Sequence, residues 1–201
     1  MWWIFLPWVF GSELKYRFAE SPGGTVQLDR PSTIFDYRVL EQITEPWNPQ
    51  VRESCVFRDL VIKPRSIEFA FRDGLRWSDG SPIDTAFLAK SFQSLVSSTR
   101  YASQVTFNKQ GSRWQVSWSP DAHALLYSLQ RSEFGVIHDS NRSQRAWTDL
   151  GPTFGPFRVH RAGETFSLTP NPHYPKDCGA PAFSVLFINS QDTAVSDQFL
   201  D

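Results

Sequence analysis

The sequence predicts an α/β fold, a mixed sheet with helices. Three kinds of segment carry this reading: short runs in which apolar and polar residues alternate, longer runs with apolar residues at helical spacing behind a capping residue, and turn-rich joints between apolar pairs. Glu13 to Ala19 (ELKYRFA) sets Leu14, Tyr16 and Phe18 against Lys15 and Arg17, as a half-buried strand does, before a Pro22-Gly23-Gly24 turn. Asp36 to Glu45 spaces Val39, Leu40 and Ile43 as a helix and stops at Pro46. Ser66 to Arg72 (SIEFAFR) is a strand with Ile67, Phe69 and Phe71 on one face. After a turn at Ser78 to Pro82, Asp84 caps a helix whose apolar stripe is Leu88, Phe92, Leu95 and Val96.

Two hairpins and two further helices complete the series. Val105 and Phe107, then Trp114, Val116 and Trp118, mark strands joined around Asn108 to Gly111. Ser119 caps a helix with Pro120 in its first turn and Leu125, Leu126 and Leu129 on its core side. Phe157 and Val159, then Phe166 and Leu168, flank Ala162-Gly163 as a second hairpin. Phe183 to Ile188 (FSVLFI) is a continuous apolar run, expected of a strand covered on both faces. Ser190 opens a last helix through Ala194, Val195 and Phe199, its pattern still running at Asp201.

Composition narrows the function classes. A net charge of -1 with scattered Lys and Arg argues against nucleic acid as the main partner, which needs a concentrated basic surface. The 8 Trp and 17 Phe against 1 Met suit β-rich packing, or a site that grips ligands by stacking. Met1 to Phe10 (MWWIFLPWVF) is nearly all apolar and too short to span a bilayer as a helix. Small Gly11-Ser12 follow it, but the basic n-region is missing, so residues 1–12 read either as an export signal or as a first strand of the fold. Cys55 and Cys178 fit no CxxC spacing. They read either as one disulfide closing a long loop, worth about 3–5 kcal/mol, or as two separate buried thiols.

No catalytic or metal constellation stands out. GxSxG, HExxH, P-loop and GxGxxG motifs are missing, and His123, His138, His160 and His173 lie too far apart for metal-ligand spacing. The His138-Asp139 dipeptide is the one conceivable orienting pair of a triad, which only geometry defines. Asp73 and Asp79 flank Trp77 beside glycines, which makes them turn-forming carboxylates first. The expectation is a protein that is not an enzyme and needs no cofactor.

Phe71 to Phe92 (FRDGLRWSDGSPIDTAFLAKSF) carries a more specific signal. It resembles the signature segment of the family 5 extracellular solute-binding proteins, which carry peptides or nickel to ABC transporters. Arg72, Gly74, Trp77, Asp79, Gly80, Pro82, Ser91 and Phe92 fall in register with that segment. Downstream, Phe154-Gly155-Pro156-Phe157, a hairpin and Asn171-Pro172-His173-Tyr174 resemble the family's Gly-Pro-Tyr and Asn-Pro-x-Tyr pattern. Leu40 to Pro46 (LEQITEP) resembles its helix ending in Tyr-Glu-Pro-Leu, and the three matches keep the family's order. Departures mark a divergent relative: Phe87 stands where the family has a first-turn acid, and Pro175 where tryptophan often follows.

The resemblance implies the first lobe of a periplasmic binding protein-like class II (clamshell) fold. Family members are more than twice as long, so the second lobe is expected to be absent and the chain truncated. Residues 13–34 and 150–201 would form the main lobe, with 35–149 an inserted α/β subdomain. The implied function is binding of a solute, an oligopeptide first, for ABC-type transport outside the cytoplasm. The implied partners are that solute, an ABC permease or a second-lobe protein, with the membrane reached only indirectly. Trp47 and Phe154 are candidates for a cleft wall, against the alternative that both are core. The competing function is a degenerate lobe that binds no solute and docks to another protein through exposed apolar surface.

Overall fold

The computed structural model describes residues 9–10, 13–18, 25–47, 55–120, 124, 135–162 and 165–189. In chain order these form β1 (Val9–Phe10), β2 (Glu13–Phe18), β3 (Thr25–Val26), α1 (Ile34–Ile43), β4 (Phe57–Lys63), β5 (Ser66–Phe71) and α2 (Thr85–Ser97). There follow β6 (Val105–Gln110), β7 (Arg113–Trp118), β8 (Arg145–Ala146), β9 (Phe157–Ala162), β10 (Thr165–Pro170) and β11 (Ser184–Asn189). The helices expected after Ser119 and Ser190, and residues 1–8 of the apolar N-terminus, lie outside the described residues. Val9–Phe10 form a short strand antiparallel to the start of β2.

Two sheets organise the chain. The larger is mixed, in the order β1-β2-β11-β10-β9. Its β2 and β11 run parallel from Glu13↔Ser184 to Asn189↔Phe18, and its other pairs are antiparallel. The apolar run around Ser184–Asn189 thus takes the middle place, where a strand has neighbours on both sides. It begins one residue later than the sequence pattern indicates, and Phe183 is left 39% exposed. The second sheet is antiparallel, in the order β4-β5-β7-β6. β3 and β8 make a two-stranded ribbon.

Helix α1 starts two residues before the expected Asp36. Thr33 is its N-cap, accepting from the Asp36 backbone N–H at 3.0 Å while the Asp36 carboxylate accepts from the Thr33 N–H at 3.0 Å. This reciprocal capping box makes Asp36 an N-terminal fastener and not a first residue. Val39, Leu40 and Ile43 are fully buried and pack, with Phe35 and Trp147, into one core with Phe157, Leu168 and Val185 of the mixed sheet. Asp84 caps α2 as expected, accepting from the Ala86 N–H at 2.8 Å.

A second core lies between α2 and the four-stranded sheet. Phe92 reaches down from α2 to Phe57 and Phe69, ring centroids 5.7 Å away in each case, and to Trp47 at 5.2 Å. Burying each such ring contributes about 1.5–3 kcal/mol. The β6–β7 hairpin closes through Gly111-Ser112, with Gly111 at φ 63°, so the strands run further than the expected turn at Asn108 to Gly111. β4 has no counterpart in the sequence reading. It is an edge strand with a register shift between Arg58 and Val61 and with Asp59 at φ 54°.

Candidate functional site

The three segments quoted for their family resemblance come together where the two cores meet. Gly155 lies against the end of α1: a Cβ there would sit 2.3 Å from the Ile43 carbonyl carbon and 2.5 Å from the Thr44 nitrogen. Only glycine lets these backbones touch. Asn171, 2% exposed, fastens the same place, donating from Nδ2 to the Gly155 carbonyl at 2.9 Å and accepting the His173 N–H at 3.0 Å. The Asn171 N–H donates in turn to the Pro156 carbonyl at 2.9 Å. Phe157, 4% exposed, then enters the mixed-sheet core, and Pro172 makes the turn that brings Tyr174 inward.

Tyr174 donates its hydroxyl to Glu45 Oε2 at 2.6 Å, linking residues 129 apart in sequence. Its oxygen also rests 3.2 Å from Cys55 Sγ. With its single proton committed to Glu45, that second contact is packing against sulfur. Burial pushes the Glu45 carboxyl above its ordinary 4.5, opposed by the Tyr174 hydroxyl and the Cys55 backbone N–H. Burial and the adjacent Glu45 likewise push the Tyr174 phenol well above 10.0. Cys55 and Cys178 are joined by a disulfide, Cα atoms 5.8 Å apart, across 123 residues. Arg72 closes the cluster, donating to Cys178 Sγ at 3.0 Å and pairing with the Asp177 carboxylate.

The signature turn docks beside this cluster. Asp79 Oδ1 accepts from the Ser81 N–H at 2.9 Å and its hydroxyl at 2.6 Å, bonds that hold the Asp79 carboxyl below its ordinary 3.8. Gly74 and Gly80 take φ 74° and 87°, and a Cβ at Gly80 would meet His173 Nε2 at 3.0 Å. Pro82 bridges to Arg76 across the turn. Trp77, 4% exposed, meets His138 edge-on at 5.0 Å. Ser78 and Thr153 exchange bonds: the Ser78 N–H donates to the Thr153 carbonyl at 2.9 Å, and the Thr153 N–H to Ser78 Oγ at 3.0 Å. Asp79 is thus a turn former, and Asp73 pairs with Arg58 at 2.8 Å.

His138 and Asp139 do not act on one another. His138 Nδ1 accepts the Ser140 N–H at 3.2 Å and lies 2.8 Å from Ser140 Oγ, capping a short 3₁₀ turn, while Asp139 pairs with Arg142 at 3.1 Å. The pair lacks the orienting carboxylate of a triad. Among the described residues no group of three His, Cys, Asp or Glu side chains is placed to hold a metal ion.

Trp47 and Phe154 are both core, 1% and 0% exposed, and Phe154 packs on the Tyr174 ring at 5.8 Å. Trp47 nonetheless floors a hollow of about 310 Å³ where the two cores adjoin. Ser91 and Ser94 of α2 line it, as do Asp29, Arg30 and Arg142. The sequence marks Trp47 and Ser91 here. It marks Glu45 only as part of the Leu40 to Pro46 motif and gives no sign of Asn141 or Thr153, whose burial follows from partners far along the chain. Asn141, 1% exposed, holds the Gly151-Pro152 backbone through bonds of 2.7 to 3.2 Å.

Solved structures resemble this chain closely in fold and distantly in sequence. The periplasmic murein tripeptide-binding protein MppA, in its unliganded open form, superposes with TM-score 0.66 at 17% identity, covering 94% of this chain and 44% of MppA. OppA of Listeria monocytogenes, bound to peptide, gives 0.64 at 9% identity over 93% of this chain and 44% of its own. A nickel ABC transporter structure from Bacillus halodurans gives 0.60 at 12% identity, over 94% and 41%. The fold is therefore that of one part of the periplasmic binding protein-like substrate-binding proteins. The chain spans less than half the length of these relatives. No protein-family model matches it, and no curated protein matches by sequence.

Proposed function

We propose that this chain is the first lobe of an extracytoplasmic solute-binding protein serving an ABC-type importer, with short peptides as its solute. The observation that carries this reading is the superposition on peptide-binding proteins over nearly the whole chain, joined to three motifs in the same order. The hollow over Trp47 is the proposed point of contact. Asp29 suits a peptide's ammonium, Arg30 and Arg142 its carboxylate, and Ser91 and Ser94 its backbone. Its position between two packed units matches where small-molecule sites concentrate. The lobe's proposed division is main residues 13–34 and 150–201 with 35–149 inserted; α1 packs on the mixed-sheet side. A second-lobe protein or permease completes the assembly.

A thermal-shift screen of the purified chain with di- to pentapeptides and nickel-histidine complexes tests the reading. A bound solute at a hundred times Kd adds about 2.7 kcal/mol, enough to see. Stabilisation by peptides is expected. No shift with any solute, together with a stable self-assembled dimer, would favour the protein-docking role instead.

A further inference from the structure

We propose that the groove between the first half of α2 and the β6–β7 hairpin is a second ligand site, for a small organic anion bearing a flat ring. The groove encloses about 520 Å³, within the range of small-molecule sites. Arg58 of β4, Lys90 of α2 and Lys109 of β6 reach it from three separate elements, and Asp73 is the acid that lines it. Arg58 is partnered: it pairs with Asp73 at 2.8 Å and donates Nε–H to the Phe71 carbonyl at 3.2 Å. Lys90 and Lys109 form no salt bridge among the described residues. A chain of net charge -1 therefore concentrates two uncompensated cations in one groove.

The floor supplies the other half of the chemistry. Buried Phe71 and half-buried Trp114 present aromatic surface, ring centroids 6.2 Å apart. Lys109 Nζ already stands 5.7 Å from the Trp114 ring centre, a cation held at an aromatic face. A flat ring stacking on Trp114 would place its anionic group between Lys109 and Lys90. A bare anion would leave the aromatic floor unused, and an uncharged ring would leave the lysines unpaired. Asp84 already caps α2, so the site rests on the lysines and the floor, not on the helix terminus.

Calorimetric titration of the full chain with adenosine 5′-monophosphate and phenyl phosphate, against adenosine and inorganic phosphate, tests this. Saturable binding of both ring-bearing phosphates is expected, tighter than either half-ligand and weakened by salt. Lys90→Gln and Lys109→Gln should each cost about tenfold in affinity, one charge-assisted contact, while the distant Lys63→Gln changes nothing. Both groove lysines are exposed, so unchanged melting temperatures are expected to show intact folding. Inorganic phosphate binding as tightly as the ring-bearing ligands, full affinity in the Lys90→Gln/Lys109→Gln double variant, or no binding of either ring-bearing phosphate would each overturn the proposal. Peptide responses should be unaffected by the double variant, which separates this site from the hollow over Trp47.

Discussion

Gly155→Ala would drive a methyl group into the backbone that ends α1. The position has no left-handed backbone, so its cost is purely steric. Neither neighbour can yield cheaply, because both are main-chain atoms. The expected loss is about 1–3 kcal/mol, read as a lower urea midpoint with unchanged slope. Glu45 and Tyr174 make the stability of the fold depend on pH. Glu45 titrates higher in the fold than unfolded, so it favours the native state below about 4.5 and that contribution is lost as pH rises through its raised value. Tyr174 acts with the same sign above 10.0. Melting temperature should therefore carry a component that falls as pH rises above 4.5 and that Glu45→Gln flattens. A wild-type and variant profile of identical shape over that window would refute the buried-carboxyl assignment. The glycine at 155 was visible in the sequence as part of a motif, whereas the reason for it was not, since Ile43 lies 112 residues away.

Elements differ in how openly they are written. β5 and α2 were legible because each sets its large apolar side chains on one face: Ile67, Phe69 and Phe71 on the strand, Leu88, Phe92 and Val96 on the helix. β4 was not, because its register shift breaks the period-two pattern and leaves Val61 and Ile62 42% and 48% exposed. Edge strands with one neighbour need no alternation, and Arg58 and Lys63 on it discourage further pairing. The start of α1 was misplaced because Asp36 reads as a first helical residue until its bonds to Ser32 and Thr33 are seen. The disulfide ties the entry to β4 to the loop after β10. Cys55→Ser/Cys178→Ser should cost about 3–5 kcal/mol in urea denaturation. Non-reducing peptide mapping should recover the two cysteines in one linked fragment, and free thiols at both would contradict the bond.

The whole molecule rests on a meeting of two cores, each readable from local pattern, at a seam that no local pattern describes. The three motifs meet at that seam: Leu40 to Pro46 supplies Glu45, which accepts the Tyr174 hydroxyl, while Arg72 of the signature segment pairs with Asp177 and Ser78 with Thr153. Aromatic candidates for ligand contact were only half legible. Tryptophan and phenylalanine look alike in sequence whether they fill a core or floor a site, and Trp47 does both while Phe154 only packs. The central proposal, a peptide-gripping lobe with its contact over Trp47, is tested most directly by mapping backbone amide NMR shifts during titration with a stabilising tripeptide. Saturable perturbations clustered at Asp29, Arg30, Ser91, Ser94 and Arg142 are expected. Perturbations absent from those five residues, at peptide concentrations that saturate any binding, would contradict it.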